Sequence, residues 1–526
     1  MDILYFRPAC IPCLVPYGLQ KLSDSTDVVK LAAAIMTYEG NSGDAFIDLP
    51  DGREWPLLDS SKLFIRSFYE PLFEGIMHNL ERSPSRSRLK LVVCGNPGIG
   101  KSAFGMYLLF RALRMKRTVV YHSLKGQYGW VFQNGDVFEF TSIGQCPELK
   151  DSETLYISDS IPPKSVNAMT VLITSPQREK WKEFLKEPGS RMLHFPMYSY
   201  SEMCALRNEC FSRMDEKTMD ERYAVWGGNP RSVMTMAHVS IEEFESEIRS
   251  FDYSSLARTV CNVDGNVSSE SVSHRMMHIK IAGETDGGEG FFPSSLDFYK
   301  LKTVEFASRF VSAIVYERIC DVRNEELLAL IDGAGVTPGL SGIRGPLFEQ
   351  EAIGRILAGG TFSMRRLGDD KKAEEKEMQI TFPKNSKQVV FRDIKNLLVQ
   401  MKPQTAQHVF LPTSKTFCSI DLILPGGYMA NATVNRHHPL TLRGSKHPGA
   451  LDIACTLQET LNRKSGVEIP FYWLVPGDVY NDRKNKFSVR PPRYTSSIKQ
   501  NRSEKAIVSR IVQYIVHIDT KKCGVK

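Results

Sequence analysis

The middle of the chain alternates short apolar runs with longer stretches of helical period. Between residues 89 and 235, the apolar runs are LKLVVCG, TVVYHS, VFEFTS, TLYISDS and AMTVLITS. Continuous apolar runs of this length, separated by helical patterns, are typical of strands that crossover helices bury on both faces. This part of the chain is therefore predicted to form an α/β domain with a parallel sheet.

The flanking segments have other patterns. Residues 1–84 predict a small mixed α/β module that ends in the helical pattern SSKLFIRSFYEPLFEGIMHNL, and ERSPSRSRLK follows as a domain edge. Residues 236–340 are mostly helical in period and are interrupted by the polar loop AGETDGGEG. Residues 341–526 begin with the helical pattern LFEQEAIGRILAGG and continue with strand signals around Ile420 and Tyr472. We predict four segments, 1–84, 85–235, 236–340 and 341–526, the third being a helical linker or lid.

Length and composition are those of an ordinary folded protein of several domains, with 526 residues of which 42% are hydrophobic. No apolar run reaches the roughly 18 residues that a membrane helix needs, and the N-terminus has no signal-peptide pattern. The 11 cysteines are scattered through apolar segments, which favours reduced thiols in the nucleus or cytosol. Cys10 and Cys13 form a CxxC pair, but no second pair lies near enough to complete a zinc site.

Positive charge is concentrated at the C-terminal end. Residues 401–526 carry 19 Lys and Arg against 8 Asp and Glu, although the whole chain has a net charge of only +7. Within this part, NDRKNKFSVRPPRYTSSIKQNRSEK places Phe487 and Tyr494 among basic side chains. Such a segment predicts binding to a polyanion, most often DNA or RNA, and the alternative is a solvated basic loop.

The sequence GNPGIGKS matches the phosphate-binding (Walker A) pattern G-x-x-x-x-G-K-[ST], between an apolar strand and an amphipathic helix. Glycines and a helix N-terminus turn backbone N–H groups toward phosphate oxygens. In such a loop, the lysine bridges the β- and γ-phosphates of ATP and the serine hydroxyl coordinates Mg²⁺. The predicted nucleotide contacts are therefore Gly95, Asn96, Pro97, Gly98, Ile99, Gly100, Lys101 and Ser102, called here the glycine loop.

Other polar residues follow predicted strands and a turn. Asp159 ends the run TLYISDS, where a Walker B aspartate would bind the metal ion together with Ser102. The next residue is a serine and not a second acid, so ATP hydrolysis is expected to be slow. Thr174 and Ser175 end another strand and are candidates for sensing the γ-phosphate. Arg231, in WGGNPR, is a candidate to pair with phosphate. The alternative for Thr174 and Ser175 is an ordinary polar strand end, and the alternative for Arg231 is a surface arginine at a turn.

Further stretches occur in one order across most of residues 42–480. They are AFIDLPDGREWPLLDSSKLFIRSFYEPLFE, TVLITSPQREKWKEF, ERYAVWGGNPRSVM, IRGPLFEQEAIGRILAGGTF, SIDLILPGGYMANATVNRHHP and FYWLVPGDV. Together with the glycine loop and LYISDS, they resemble the Crinkler-type effectors of oomycetes and chytrids and the related retrotransposon-hot-spot proteins of trypanosomes. The LFLAK-bearing header of many Crinklers has no counterpart here, so the resemblance does not imply host translocation by that route.

The resemblance implies an AAA- or STAND-like P-loop NTPase, a helical segment, and a restriction-endonuclease-like α/β domain of the PD-(D/E)XK type in residues 341–526. In that type of nuclease, carboxylates bind divalent cations and a lysine orients the attacking water. Glu349 matches the helix acid and Asp421 the strand aspartate, both as Mg²⁺ ligands. Asn431 and Thr433 stand at the acid-x-Lys position, so the lysine is missing.

Two basic residues are candidates to replace that lysine. His438, in RHHP, is a candidate proton acceptor, although a turn histidine beside proline is more often a surface residue. Lys446 is a second candidate because it follows closely in sequence. The nuclease-like domain is thus expected to be either active or decayed to nucleic-acid binding.

Two functions follow from these expectations. The first is an ATP- and Mg²⁺-dependent enzyme whose basic C-terminal domain binds DNA or RNA and cleaves it, acting as an effector in the nucleus, or in the host nucleus if it is secreted. The second is a nucleotide switch whose inactive C-terminal domain docks on chromatin or a nuclear protein. A cytoplasmic location is the alternative; membrane association is not expected and the oligomeric state stays open. No Ser-His-Asp, GxSxG, HExxH or kinase pattern supports another enzyme class.

Overall fold

The structure, a computed structural model, describes residues 19–40, 44–56, 58, 60–81, 89–124, 129–235, 240–251, 274–281, 292–321, 331, 341–367, 377–384, 386–391, 393–402, 407–412, 420–441, 450–461, 467–482, 488–493 and 509–520. The chain forms two compact units. Unit 1 comprises Met1–Gly95, Gly100–Leu193 and Phe292–Lys300, and unit 2 comprises Asn96–Ile99, His194–Phe291 and Leu301–Lys526. The tip of the glycine loop thus belongs to unit 2, while the strand before it and the helix after it belong to unit 1.

Unit 1 is built on a sheet of eight strands. In chain order, the strands of this unit are β1 (Gln20–Lys21), β2 (Phe46–Asp48), β3 (Lys62–Phe64), β4 (Lys90–Cys94), β5 (Val119–Ser123), β6 (Gly129–Gln133), β7 (Asp136–Phe140), β8 (Leu155–Asp159), β9 (Met169–Thr174) and β10 (Ser190–His194). The large sheet has the order β1-β7-β6-β5-β8-β9-β4-β10, and β2 and β3 form a separate antiparallel pair.

The strands β5, β8, β9 and β4 are parallel neighbours, and all five residues of β4 and β8 are buried. Parallel strands place their carboxyl ends at one edge of the sheet, where ligands of such sheets bind. All five apolar runs form strands, but VFEFTS, which gives β7, is antiparallel to its neighbour β6. The reason is the two-residue turn Asn134-Gly135, with φ of 53° and 89°, which the parallel prediction overlooked.

Three helices complete unit 1: α1 (Asp27–Met36), α2 (Tyr69–Glu81) and α3 (Lys101–Arg114). The helix α3 packs on β5, β8 and β9, and Gly105 lets it approach the sheet, since a Cβ there would lie 3.0 Å from Ile173 Cδ1. Aromatic rings join α2 to α3, with Tyr69 5.1 Å from Phe104 and 5.4 Å from Tyr107 between ring centroids. The helix after the glycine loop is therefore anchored on both sides.

The first part of unit 2 is mostly helical. Its elements are α4 (Tyr200–Cys210), α5 (Glu216–Trp226), α6 (Ile241–Ser250), β11 (Met277–Ile281), β12 (Lys302–Phe306), α7 (Arg309–Asp321) and α8 (Ser341–Ala358). The side chains of Ser199, Asp215 and Ser240 accept hydrogen bonds from backbone N–H groups in the first turn of α4, α5 and α6, which fixes where these helices begin. The strands β11 and β12 pair antiparallel within a segment that the sequence predicts as helical, because a five-residue alternation such as MHIKI is a weak signal.

The rest of unit 2 contains a second sheet of eight strands. The strands are β13 (Gly360–Arg366), β14 (Glu377–Phe382), β15 (Gln388–Phe391), β16 (Val409–Pro412), β17 (Leu422–Leu424), β18 (Tyr428–Ala432), β19 (His437–Thr441), β20 (Ile469–Pro476), β21 (Ser488–Arg493) and β22 (Ile511–Ile518). The sheet has the order β14-β13-β22-β20-β18-β17-β16-β15, and β19 pairs with β21 separately. The helices are α9 (Ile394–Gln400), α10 (Ala450–Thr460) and α11 (Gly477–Tyr480).

Apolar packing fixes the positions of these elements. Phe471 and Trp473 of β20 and Ile453 and Leu457 of α10 belong to one buried cluster. The helix α8 packs on β12, α7 and β18. In the part of the chain that the structure describes, every helix is too short or too polar to cross a bilayer. The chain is thus a mixed α/β protein with two large sheets.

Two glycines of α8 provide a matched test of this packing. A Cβ at Gly342 would lie well inside the 3.0 Å that real Cβ atoms keep from other atoms, against the carbonyl oxygen of Val304 in β12, whereas a Cβ at Gly354 would meet open space. Gly342→Ala should lower the free energy of unfolding by about 1–3 kcal/mol because the helix must move off the strand. Gly354→Ala should raise it by about 0.5–1 kcal/mol through helix propensity. Urea denaturation measures both, and equal effects would contradict the packing of α8 on β12.

Candidate functional site

The glycine loop joins β4 to α3 through left-handed backbone. Gly98 and Gly100 have φ of 84° and 78°, conformations that side-chain-bearing residues adopt at a cost. Lys101, the first residue of α3, donates from Nζ to the carbonyl oxygen of Gly95 at 2.8 Å, and Tyr69 donates from its hydroxyl to the carbonyl of Gly100 at 3.3 Å. Ser102 lies in the first turn of α3. The loop therefore has left-handed backbone at two glycines directly before a helix, and its lysine is folded back on its first residue.

Two predicted residues end neighbouring parallel strands of unit 1. Asp159 is the last residue of β8 and Thr174 the last of β9, so both lie at the edge of the sheet where β4 also ends. Asp159 is buried, and Ser160 donates to its Oδ1 at 3.1 Å. Ser160 has φ of 66°, which turns the chain sharply after the aspartate. The structure thus brings a carboxylate and a hydroxyl to the carboxyl edge that the sequence predicts.

Buried hydroxyls near this edge are unsatisfied. Thr174 Oγ1 and Tyr121 Oη are buried, and neither has a hydrogen-bond partner among the described residues. Burial, and secondarily the charge of Asp159, raise the pKa of Tyr121 well above its usual value. Ser175 instead donates to Gln177 Oε1 at 3.2 Å. Unsatisfied buried hydroxyls cost free energy. Tyr121 carries no sequence signal, because it is one aromatic residue within an apolar strand.

The tip of the glycine loop is held within unit 2 by Asn96. Its buried amide nitrogen donates to the carbonyl oxygens of Met277 at 2.7 Å and His274 at 3.0 Å. Its Oδ1 accepts from the backbone N–H of Ile279 at 2.8 Å. The side chain of Asn96 therefore binds the backbone around β11. Ile99, at the end of the tip, is fully buried.

The segment WGGNPR contacts the same tip within unit 2. Asn229 donates from Nδ2 to the carbonyl oxygen of Pro97 at 3.1 Å and accepts at Oδ1 from the backbone N–H of Arg231. A Cβ at Gly98 would lie 2.8 Å from Arg231 Cβ, so the stem of the arginine covers this glycine. Arg231 begins a short π-helical turn, Arg231–Thr235, and is exposed. The predicted arginine is therefore placed beside the loop tip.

A second group of predicted residues converges around β17 and β18. Arg309, the first residue of α7, contacts Glu349 and Asp421, called here the carboxylate pair. Arg309 Nε lies 2.8 Å from Glu349 Oε1, and Arg309 Nη2 lies 3.1 Å from Asp421 Oδ1. The sequence predicts both acids but not the arginine, because Arg309 lies 40 and 112 residues away and only the fold brings it to them.

Asp421 forms hydrogen bonds with residues of β18, both through its backbone N–H and through its side chain. Asn431 Oδ1 accepts from the backbone N–H of Asp421 at 2.9 Å, and Asp421 Oδ2 accepts from the N–H of Ala432 at 3.0 Å. Thr433 Oγ1 accepts from the N–H of Asn435 at 3.1 Å. Asn431 and Thr433 are buried. The side chain of Asn431 therefore binds the backbone of Asp421, whereas the hydroxyl of Thr433 binds the backbone of a turn.

The two candidate basic residues lie mostly outside the described residues. The backbone of His438 belongs to β19, opposite Val489 of β21, and its side chain is outside them, as is all of Lys446. Most of the basic segment and the pair Cys10 and Cys13 are outside them too. Within the described ranges, no group of three or more His, Cys, Asp or Glu side chains is placed to hold a metal ion. The carboxylate pair as it stands is thus bound to a guanidinium.

These features define a mixed α/β protein with a glycine loop before a helix in one sheet and an arginine-bound carboxylate pair beside another. The chain is 25% identical over 446 residues to Crinkler effector protein 15 of Phytophthora infestans and 24% identical over 442 residues to Crinkler effector protein 16 of the same organism. Each alignment covers 80% of this chain but only 65% and 64% of the relative, so the chain spans less than two thirds of these relatives. No family model matches the chain.

The similarity to Crinkler proteins agrees with the resemblance drawn from the sequence motifs. It extends over most of the chain and therefore does not rest on the glycine loop alone. The relation to the retrotransposon-hot-spot proteins stays a prediction.

Replacement of Asn96 tests how the loop tip is held. Asn96→Ala should lower the free energy of unfolding by about 2–4 kcal/mol, because the buried N–H of Ile279 and carbonyl of Met277 lose their partner. Asn208→Ala, at an exposed position of α4, is the control and should change it by less than about 0.5 kcal/mol. Urea denaturation followed by tryptophan fluorescence measures both. Equal stability of the two variants would show that the amide of Asn96 does not hold β11.

Proposed function

We propose that the chain is a nucleotide-dependent effector protein that binds ATP with Mg²⁺ at the glycine loop. The observation that carries this proposal is the left-handed backbone of Gly98 and Gly100 directly before α3. A helix N-terminus that follows such a loop offers free N–H groups and a positive dipole to phosphate. The unpartnered buried hydroxyl of Thr174 supports the same ligand class.

The roles of the residues follow from their chemistry. Lys101 would exchange its bond to the Gly95 carbonyl for phosphate oxygens, and Ser102 and Asp159 supply the oxygen ligands that Mg²⁺ prefers. The metal ion would neutralise phosphate charge. The hydroxyl of Thr174 would donate to phosphate or bound water. Since Ser160 follows Asp159 where a second acid would activate water, we propose slow hydrolysis.

Residues 341–526 would carry out the function that nucleotide binding controls. We assign to residues 341–526 a nuclease-like fold that binds DNA or RNA, on the basis of the basic charge of residues 401–526 and the convergence of Glu349, Asp421 and Asn431. The guanidinium of Arg309 on both acids favours a domain that docks on nucleic acid, chromatin or a nuclear protein over one that cleaves in this conformation. The relatives are effector proteins by name, and we propose the same class of action here, in the nucleus.

A lysine variant tests the nucleotide proposal. Lys101→Ala should weaken ATP binding by about 10- to 150-fold, the value of one charge-assisted contact. Lys164→Ala, at an exposed position of unit 1, should bind ATP like the unaltered chain. Isothermal titration calorimetry with MgATP measures the affinity, and circular dichroism confirms that both variants fold. Equal affinity of Lys101→Ala and the unaltered chain would exclude the glycine loop as the nucleotide site.

Nucleolytic cleavage is the second candidate, favoured by the proximity of two acids and an amide. It is tested with supercoiled plasmid and single-stranded RNA, with and without ATP and Mg²⁺. We expect binding that weakens steeply with salt, because phosphate contacts release counterions. Mg²⁺-dependent nicking that Asp421→Asn and Glu349→Gln both abolish would replace docking by cleavage as the function. Absence of binding to either nucleic acid at low salt would exclude both outputs.

A further inference from the structure

The carboxylate pair contacts a positively charged side chain, that of Arg309. Besides its contacts with Glu349 and Asp421, Arg309 donates from Nη1 to the carbonyl oxygen of Pro412 at 3.0 Å. The side chain of Arg309 is 17% exposed and that of Glu349 is 11% exposed, so that both charges are largely withdrawn from water. A guanidinium with two hydrogen bonds and a further ion pair is held more firmly than an exposed ion pair. The arginine therefore occupies the space between the two acids.

A divalent cation would need the same oxygens. Glu349 Oε1 and Asp421 Oδ1 face Arg309, while Asp421 Oδ2 and Asn431 Oδ1 each accept a backbone hydrogen bond. A metal ion between the acids would lie beside a buried positive charge, and like charges at this range in a protein interior repel strongly. The pair can accept a divalent cation only when Arg309 leaves it.

Arg309 is also tied to the glycine loop through backbone contacts inside unit 2. Asn96 binds the carbonyl oxygen of Met277. The preceding residue, Met276, accepts from the N–H of Ala307 at 2.7 Å, which extends the ladder between β11 and β12. Ala307 is two residues before Arg309. The start of α7 is thus coupled to the loop tip by one side chain and one pair of strands.

The segment WGGNPR and the residue before it also contact Ala307 and Ser308, which directly precede Arg309. A Cβ at Gly227 would collide with the carbonyl oxygen of Ala307, so the two backbones are in direct contact. Ser308 donates from Oγ to the carbonyl of Val225 at 2.7 Å. Asn229, in the same segment, binds the loop tip through Pro97. The tip and the residues before Arg309 are therefore connected by two sets of contacts.

We infer that Arg309 is the positioning residue that closes the carboxylate pair to divalent cations, and that nucleotide at the glycine loop releases it through Asn96 and β11. The second half of this inference rests on the proposed function, and the first half does not. While the arginine is bonded, it offsets one of the two negative charges and occupies the space between the acids. Once it is withdrawn, Glu349 Oε1 and Asp421 Oδ1 no longer face a positive charge and can bind a divalent cation.

Manganese binding to the nucleotide-free full chain tests the first half. Mn²⁺ is titrated alone, and free Mn²⁺ is measured by electron paramagnetic resonance. Arg309→Gln should gain one site that binds roughly tenfold or more tighter than any in the unaltered chain, because a neighbouring positive charge is removed. The double variant Arg309→Gln/Asp421→Asn should lose that site. Arg318→Gln, in the same helix α7, should behave like the unaltered chain.

Two results would overturn the first half. One is Mn²⁺ binding by Arg309→Gln no tighter than in the unaltered chain; the other is a gained site that persists in the double variant. Should Arg309→Gln fail to fold, Arg309→Lys takes its place. A lysine is a compact charge without the fork that holds two carboxylates, so Mn²⁺ affinity should still rise, by roughly threefold. No rise in Arg309→Lys would again overturn the inference.

The second half is tested by Mn²⁺ stoichiometry with saturating ATPγS. The unaltered chain should bind one more Mn²⁺ than Asp421→Asn under the same conditions, and Lys101→Ala should show no such difference. Equal stoichiometry of the unaltered chain and Asp421→Asn, with ATPγS bound to both, would overturn control by the loop. Absence of ATPγS binding to the unaltered chain would instead refute the proposed function and the second half with it. The nucleotide-free titration of Arg309→Gln would still decide the first half.

Discussion

A carboxylate withdrawn from water must be neutralised, and this constraint organises the region around α8. The helix carries two buried acids, Glu349 and Glu351, and each is paired with an arginine. Arg355, from the same helix, binds Glu351, so that this acid is balanced locally. Glu349 is paired with Arg309 of α7, which also contacts Asp421, the residue directly before β17. The pair of Glu351 and Arg355 lies within one helix, whereas Arg309 joins two helices to the segment that precedes a strand.

The glycine loop and the carboxylate pair differ in how far the polar atoms around them are hydrogen-bonded. At the glycine loop, the backbone conformation, the lysine and the buried Asp159 are in place, and the hydroxyl of Thr174 is unsatisfied. At the carboxylate pair, both carboxylate oxygens of Asp421 accept hydrogen bonds, one from Arg309 and one from the backbone N–H of Ala432. The glycine loop thus has an unsatisfied hydroxyl nearby, whereas the carboxylate of Asp421 is already hydrogen-bonded. This contrast is why we assign the primary chemistry to nucleotide binding.

Local patterns predicted what local interactions determine. The apolar runs identified the strands of unit 1, because burial on both faces requires continuous hydrophobicity. The direction of β7 was wrong, because the turn at Asn134 and Gly135 outweighs the pattern of the strand. Neither the pairing of β11 with β12 nor the position of Arg309 was predicted. Both depend on contacts between distant residues, such as the bond of Arg309 to an acid 112 residues away, which no periodicity records.

Unit 2 includes a four-residue segment, Asn96–Ile99, that lies between two segments of unit 1 in the chain. Asn96 and its partner Met277 are 181 residues apart. At a synthesis rate of roughly 5–20 residues per second, the loop tip emerges from the ribosome about 10–40 s before the strand that satisfies it. During this interval, the strand and helix that flank the tip can already fold, but the side chain of Asn96 stays solvated. Unit 2 is therefore completed only after later segments of the chain have been made, and a fragment that starts at residue 194 would lack the side chain that accepts from the N–H of Ile279.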